Sequence, residues 1–399
     1  MLHAYRSLFT APGSAGFVLA GLLARLPLSM TGIGLITMLA QQRGSYTLAG
    51  VASACFALSI AVLAPRISAL VDRHGQSRVL PFAAACSALS MLALLACAHW
   101  QGPDWLLLIL AAMVGSLPSM PAMVRARWTV IYSGTPQLKT AFALEGVLDD
   151  MAFIVGPPLS VGLSMWLFPE AGPLAAALFL VVGVGLFVMQ RSTEPPVSPQ
   201  THERGAASAS SMLRQPVVRT LALFMLAQGI IVGVIDVASV AFATAQGQPG
   251  MASVVLSFYA LGSCAMGLLF GTLQLKMPLS RQIVWVGASV AISALPLLLA
   301  SNLTALTLAV LLAGITFGPT ITVAMALVEQ QVPSHRLTEG MTWLLTGLAT
   351  GVALGAALAG WLIDHWGAQR SFVLTLVAGA AMWLWGVQAG RLASTSAQK

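Results

Sequence analysis

Three carboxylic acids crowd the stretch ALEGVLDDMAFIVGPPL, residues 143 to 159: Glu145, Asp149 and Asp150. If this stretch is helical, Glu145 and Asp149 share one face, and Asp150 is turned about 100° away. Acids set in an apolar run can exchange a proton or hold a cation. One basic residue also falls well inside such a run, Arg25 in LLARLPLSM (22 to 30), and it offers a counter-charge. Burial favours the protonated acid and a nearby arginine the ionised one, so an acid whose distance to Arg25 changes would load and release protons. A permanent structural ion pair is the competing reading. A further acid, Asp236, stands alone in GVIDVASVAFA (233 to 243), where a water-exposed position near the outer end of its run is one reading.

The elements that must position these groups are legible in the composition. Of 399 residues, 58% are hydrophobic and 8% charged, against roughly 25% charged in a soluble domain. Twelve apolar runs are long enough to span a bilayer: residues 15 to 40, 47 to 65, 79 to 99, 104 to 124, 140 to 168, 173 to 190, 217 to 243, 251 to 273, 282 to 300, 304 to 328, 338 to 364 and 370 to 390. A barrel would show shorter, alternating segments, so the fold class is all-α and polytopic. With a span starting near residue 140, Asp149 and Asp150 lie roughly 15 Å deep, as does Arg25 in the first span. Each acid turned to lipid would cost about 2.5 to 3.5 kcal/mol. The acids are therefore expected to face protein or water.

With the N-terminus inside, 16 of the 19 Lys and Arg residues fall in cytoplasmic segments, as the positive-inside rule requires. Both termini are then expected in the cytoplasm, with the chain in the inner membrane. Topology accounts for the net charge of +7 without nucleic acid. The four cysteines lie inside spans without CxxC spacing, and the six histidines are scattered. Neither set suggests a disulfide, a metal site or a cofactor. No GxxxxGK[ST], no HExxH and no clear Ser/His pairing occurs, which argues against an ATP-driven pump and a membrane enzyme.

One long polar stretch, RSTEPPVSPQTHERGAASASSMLRQP (191 to 216), reads as a flexible linker between six spans and six. The halves, 1 to 190 and 217 to 399, resemble each other at an offset near 200 residues: VGPPLSVG (155 to 162) aligns with LGAALAGW (354 to 361), and GSLP (115 to 118) with TFGP (316 to 319). Internal repeats are common in transporters. Pro118, Pro121 and Gly318-Pro319 fall mid-span as expected kinks or breaks. Trp128, Tyr132 and Trp343 are expected at the interfacial aromatic belt.

The segment SALVDRHGQSRVL (68 to 80) resembles the signature loop of the major facilitator superfamily, roughly G-x-L-x-D-R-x-G-R-[RK]. Leu70, Asp72, Arg73 and Gly75 match; Ser68, Gln76 and Ser77 depart from the pattern, with Arg78 close by. FIVGPPLSVG (153 to 162) resembles the GPxxGG element of proton-coupled exporters of that superfamily through Gly156, Pro157 and Gly162.

The resemblance implies two six-helix bundles that rock to expose a central cavity to each side in turn. It places spans one and five side by side, so that Arg25 is expected to meet Asp149 or Glu145, and it assigns Asp72, Arg73, Gly75 and Arg78 to conformational control, with Asp72 against the start of span eleven near residue 338. It also places Asp236 on a cavity-lining helix. The implied activity is proton-coupled efflux of a small organic solute, with proton-coupled uptake or a non-transporting receptor as alternatives. The implied partners are the solute, protons and the lipid bilayer, and the working form is a monomer.

Overall fold

The computed structural model describes residues 7–133, 135, 137–196, 213–272, 277–332 and 337–396; the side chain of Asp150 lies outside the described residues. Among them there is no strand. The first half comprises α1 (Ser14–Arg43), α2 (Tyr46–His74), α3 (Gln76–His99), α4 (Asp104–Val114), α5 (Met120–Tyr132), α6 (Gln137–Trp166) and α7 (Ala171–Met189). The second comprises α8 (Pro216–Ala245), α9 (Met251–Thr272), α10 (Leu279–Ser293), α11 (Leu295–Leu299), α12 (Leu303–Gln331), α13 (Leu337–Trp366), α14 (Ala368–Ser371) and α15 (Val373–Ser396). Among the described residues, ten helices are long and apolar enough to cross a membrane, and Asp104–Val114 and Met251–Gly267 are shorter apolar helices. The twelve expected spans are all accounted for. Their outer surface is apolar, with Phe82, Trp166 and Leu299 about four-fifths exposed (79%, 84% and 81%). Exposure of such side chains is tolerable when the surrounding medium is hydrocarbon.

Three places in the spans carry local detail. The fourth span is not continuous: α4 ends at Val114, residues 115–119 are non-helical, and α5 starts afresh at Met120. Pro118 and Pro121 lack the N–H groups that would continue the ladder, so α5 takes Pro121 into its first turn, where that N–H is not needed. Pro319, by contrast, stays inside the unbroken α12. The signature segment falls at the junction of two helices. Helix runs through His74 and resumes at Gln76, and Gly75 alone makes the turn with φ 89°, a conformation that costs glycine least.

The chain packs as two compact units, Met1–Gln42 with Leu58–Thr201, and Arg43–Ala57 with His202–Lys399. The start of α2 thus belongs with the second unit. There the Asp364 carboxylate, at the end of α13, accepts from Tyr46 N (2.9 Å), Thr47 N (2.8 Å) and Ser45 Oγ (3.0 Å), satisfying donors that a helix start leaves open. In this unit α8 and α13 lie backbone to backbone. A Cβ at Gly229 or Gly233 would strike the carbonyl of Leu348 or Val352, and one at Gly351 or Gly355 that of Leu226 or Ile230. Small residues permit such close approach in a membrane.

The first unit uses the same pair of spans, α1 and α6, differently. Gly156 touches Ser29, as Gly355 touches Ile230, so the repeat seen in the sequence lies on equivalent seams. Ser29 Oγ also donates to Ala152 O (2.8 Å). This seam also carries charge.

Candidate functional site

Helix α6 presents Glu145, Asp149, Ala152, Gly156 and Ser160 at spacings of four, three, four and four, one helical stripe. Val147, Met151 and Val155 occupy the exposed side. The acids therefore look into protein, as the insertion cost demands. Glu145 is fully buried. Its Oε2 accepts from Arg25 Nη2 and its Oε1 from Trp128 Nε1 (2.7 Å). Asp149 is a quarter exposed and lies between two arginines: Oδ1 is 3.4 Å from Arg25 Nε and Oδ2 is 2.5 Å from Arg125 Nη2. The structure thus brings Arg25 to both of the acids proposed for it.

Two partners were missed. Arg125 was counted among topological cations, and Trp128 among interfacial aromatics. Trp128 is instead wholly buried, edge-on to Phe17 (4.8 Å) and stacked on Tyr132 (5.7 Å), whose hydroxyl donates to Leu8 O. Both sit on α5, which the break at residues 115–119 frees to turn them toward α6. With Arg125 included, Glu145 and Asp149 balance two arginines. The expectation that the acids share a single arginine is therefore corrected. Arg25 Nη1 remains a buried donor without a hydrogen-bond partner.

Helix α5 also carries Arg127, fully buried. Its guanidinium donates to Gln76 Oε1 (2.9 Å), Gln190 O (2.9 Å), Thr193 Oγ1 (2.9 Å) and Phe187 O (3.1 Å), and it stacks 3.7 Å from the Phe187 ring. Gln76 Nε2 donates to Met123 O, and Ser77 N to Glu194 Oε1 (2.7 Å). In the signature segment, then, two of the three residues that depart from the superfamily pattern, Gln76 and Ser77, make these contacts. Asp72, Arg73 and Arg78 are exposed. The side chains near residue 338 expected opposite Asp72 lie outside the described residues. In the GP element, Gly156 is needed for contact with Ser29, whereas a Cβ at Gly162 would meet open space; Pro157 and Pro158 are accommodated within α6.

Asp236 on α8 has a different setting. Among the described residues it makes no salt bridge or hydrogen bond, and it is partly exposed. The Gln228 side chain lies beside the Tyr259 hydroxyl on α9 close enough to hydrogen-bond, and the Asp236 carboxylate lies within longer electrostatic reach of it. Ser239 Oγ, on the same helix, is a buried atom with no hydrogen-bond partner in the structure. Phe317 of α12 lies edge-on to Tyr259 at 6.0 Å. Gln228 and Tyr259 were not singled out from sequence; an amide in the middle of an apolar run was the available signal.

Outside the spans, Glu170 between α6 and α7 accepts from Gln42 Nε2 (2.6 Å) and lies 3.0 Å from His99 Nδ1. Burial pushes its carboxyl up, but hydrogen bonds from His99, its own backbone and Gln42 outweigh that and hold it below the usual carboxylate range.

Residues 17–301 and 229–396 match the sequence profile of the Major Facilitator Superfamily. No curated protein sequence matches significantly. Among solved structures, the fold is similar to that of the nucleoside transporter NupG, with 12% identity, a TM-score of 0.74, and coverage of 95% of this chain and 98% of that one. It is also similar to the peptide transporter POT in complex with sulfate, with 14% identity, a TM-score of 0.70, and coverage of 96% and 94%.

Proposed function

The chain belongs to the major facilitator superfamily and is a multi-pass secondary transporter, and from that premise we propose that it moves a small organic solute by alternating access, coupled to protons through Asp149. The observation that carries this reading is the division of labour in the α1–α5–α6 cluster. Glu145 has both oxygens engaged and no exposure, which suits a fixed pin. Asp149 is a quarter exposed and shared between Arg25 and a one-third-exposed Arg125. A proton arriving at Asp149 competes with the arginines for its oxygens, and losing that contact leaves an arginine uncompensated. The cluster then has reason to rearrange, which is what coupling requires.

The direction we favour is efflux by antiport, supported by the resemblance of Gly156-Pro157 to the exporter element. The termini are taken to face the cytoplasm from the inner membrane, by the distribution of basic residues, and the working form is a monomer. Proteoliposomes with an imposed pH gradient test the reading. Asp149→Asn should reduce gradient-driven solute flux at least about tenfold while solute exchange without a gradient persists. Gradient-driven flux that survives in Asp149→Asn removes that residue from the coupling. Flux that follows the proton gradient, with solute moving in alongside protons, replaces efflux with uptake.

A further inference from the structure

We infer that Trp128 is a positioning residue for proton coupling: its indole N–H keeps Arg25 shared between Glu145 and Asp149. This rests on the reading of Asp149 as the coupling carboxylate.

The Arg25 guanidinium is held one-sidedly. It is buried at 3% exposure and has five N–H donors to place, yet a single hydrogen bond holds it, from Nη2 to Glu145 Oε2. Nη1 has no hydrogen-bond partner, and Nε lies 3.4 Å from Asp149 Oδ1 without a hydrogen bond. An arginine commonly closes on a carboxylate with two parallel bonds, one to each oxygen. Here the other oxygen of Glu145 is engaged elsewhere. Oε1 accepts from Trp128 Nε1 at 2.7 Å, which draws it away from the guanidinium and leaves the Nε edge of Arg25 to Asp149.

The indole is itself firmly seated. Trp128 has no exposure; Phe17 of α1 meets it edge-on with ring centroids 4.8 Å apart, and Tyr132 stacks on it at 5.7 Å. Tyr132 is anchored in turn, since its hydroxyl donates to Leu8 O (3.0 Å) in the turn Ser7–Thr10 that precedes α1. A donor locked by packing fixes the orientation of its acceptor.

The charged groups around Asp149 are Arg25 from α1, Arg125 from α5 and, on α6 itself, Glu145 and the neighbouring Asp150. Helix α7, which also packs on α6, carries no charged residue. Without the indole N–H, Glu145 Oε1 becomes a buried acceptor in want of a donor, and Arg25 has N–H groups free to supply it. The pair then closes with two bonds and Arg25 leaves Asp149. Asp149 keeps only Arg125, which is one-third exposed. A carboxylate that loses a neighbouring cation takes up its proton at higher pH. Trp128 thus sets the pH at which the coupling acid loads, without touching proton or solute.

The test is infrared titration of the full-length protein in lipid membranes, following the carbonyl stretch of the protonated carboxyl and identifying the Asp149 band by its loss in Asp149→Asn. Trp128→Phe, which keeps an apolar ring and removes the N–H, should move the midpoint of that band alkaline by about 1 in pH. Trp128→Met serves the same purpose if the phenylalanine variant does not fold. Glu145→Gln takes away the competing carboxylate, so adding Trp128→Phe to it should no longer move the midpoint. A merely structural role for Trp128 would lower Tm and leave the midpoint in place. That outcome, an equal shift with and without Glu145, or a wild type showing no Asp149 band between about pH 3 and 9, overturns the inference. The two proposals fail separately: a midpoint governed by Trp128 stands even if Asp149→Asn leaves gradient-driven flux intact, and flux lost in Asp149→Asn stands even if Trp128→Phe leaves the midpoint unmoved.

Discussion

The two halves fold the same pair of spans together by opposite means. In the second half α8 meets α13 through Gly229, Gly233, Gly351 and Gly355, so that main chains touch and, among the described residues, no ion pair crosses the seam. In the first half α1 meets α6 through two glycines that face serine side chains, Gly156 on Ser29 and Gly34 on Ser160, and through Arg25, Glu145 and Asp149. A glycine seam gains from dispersion and has little to titrate, while a charged seam holds only while its charges stay matched. The acid of the second half, Asp236, stands outside the seam and unmatched. The two seams therefore pair corresponding spans with different chemistry: matched charges in one half, and in the other a glycine seam with an acid, Asp236, on the same α8 helix.

The sharpest way to break this comparison is to unbalance the first seam. Arg25→Ala leaves Glu145 buried without its cation and should destabilise the protein by about 3–5 kcal/mol, read as a fall in Tm in detergent. The double variant Arg25→Leu/Glu145→Leu should recover most of the loss. A single variant as stable as the double would show that the charges are not matched as described. A smaller effect belongs to Gly156 of that seam. Gly156→Ala pushes a Cβ into Ser29 and should cost about 1–3 kcal/mol, whereas Gly162→Ala, facing open space, should be neutral or stabilising by up to about 1 kcal/mol. Chemical denaturation of the two variants side by side checks this. The smallest effect is expected where charge is unmatched: Asp236→Asn should change stability by less than about 1 kcal/mol, in either direction. A loss as large as that of Arg25→Ala would mean that Asp236 has a hidden structural partner.

Much of this was open to inspection in the sequence, for physical reasons that can be named. Hydrocarbon admits few charges, so runs of apolar residues marked the spans and the exceptions marked Arg25, Glu145, Asp149 and Asp236. What escaped was reach. Arg125 lies 24 residues from Asp149, in a segment whose basic residues were read only as topological markers, and nothing local says that its side chain extends to α6. Trp128 was misread for a related reason, since an aromatic near a span end usually sits in the interface; here Glu145 gives its indole N–H a buried partner. GSLPSMP announced a disturbance in span four, but whether a kink or a break depended on packing. Gln76 and Ser77 were passed over because they depart from the signature pattern, although Gln76 is buried and receives Arg127.

The break before α5 has a mechanical consequence. Thirteen residues of uninterrupted helix, detached from α4, hold Arg125 and Trp128 on the acids of α6 and Arg127 on Gln76 and Thr193. A rod this short does not bend appreciably, so a nudge at Asp149 is delivered, as by a rocker arm, to the turn at Gly75 and to the root of the linker.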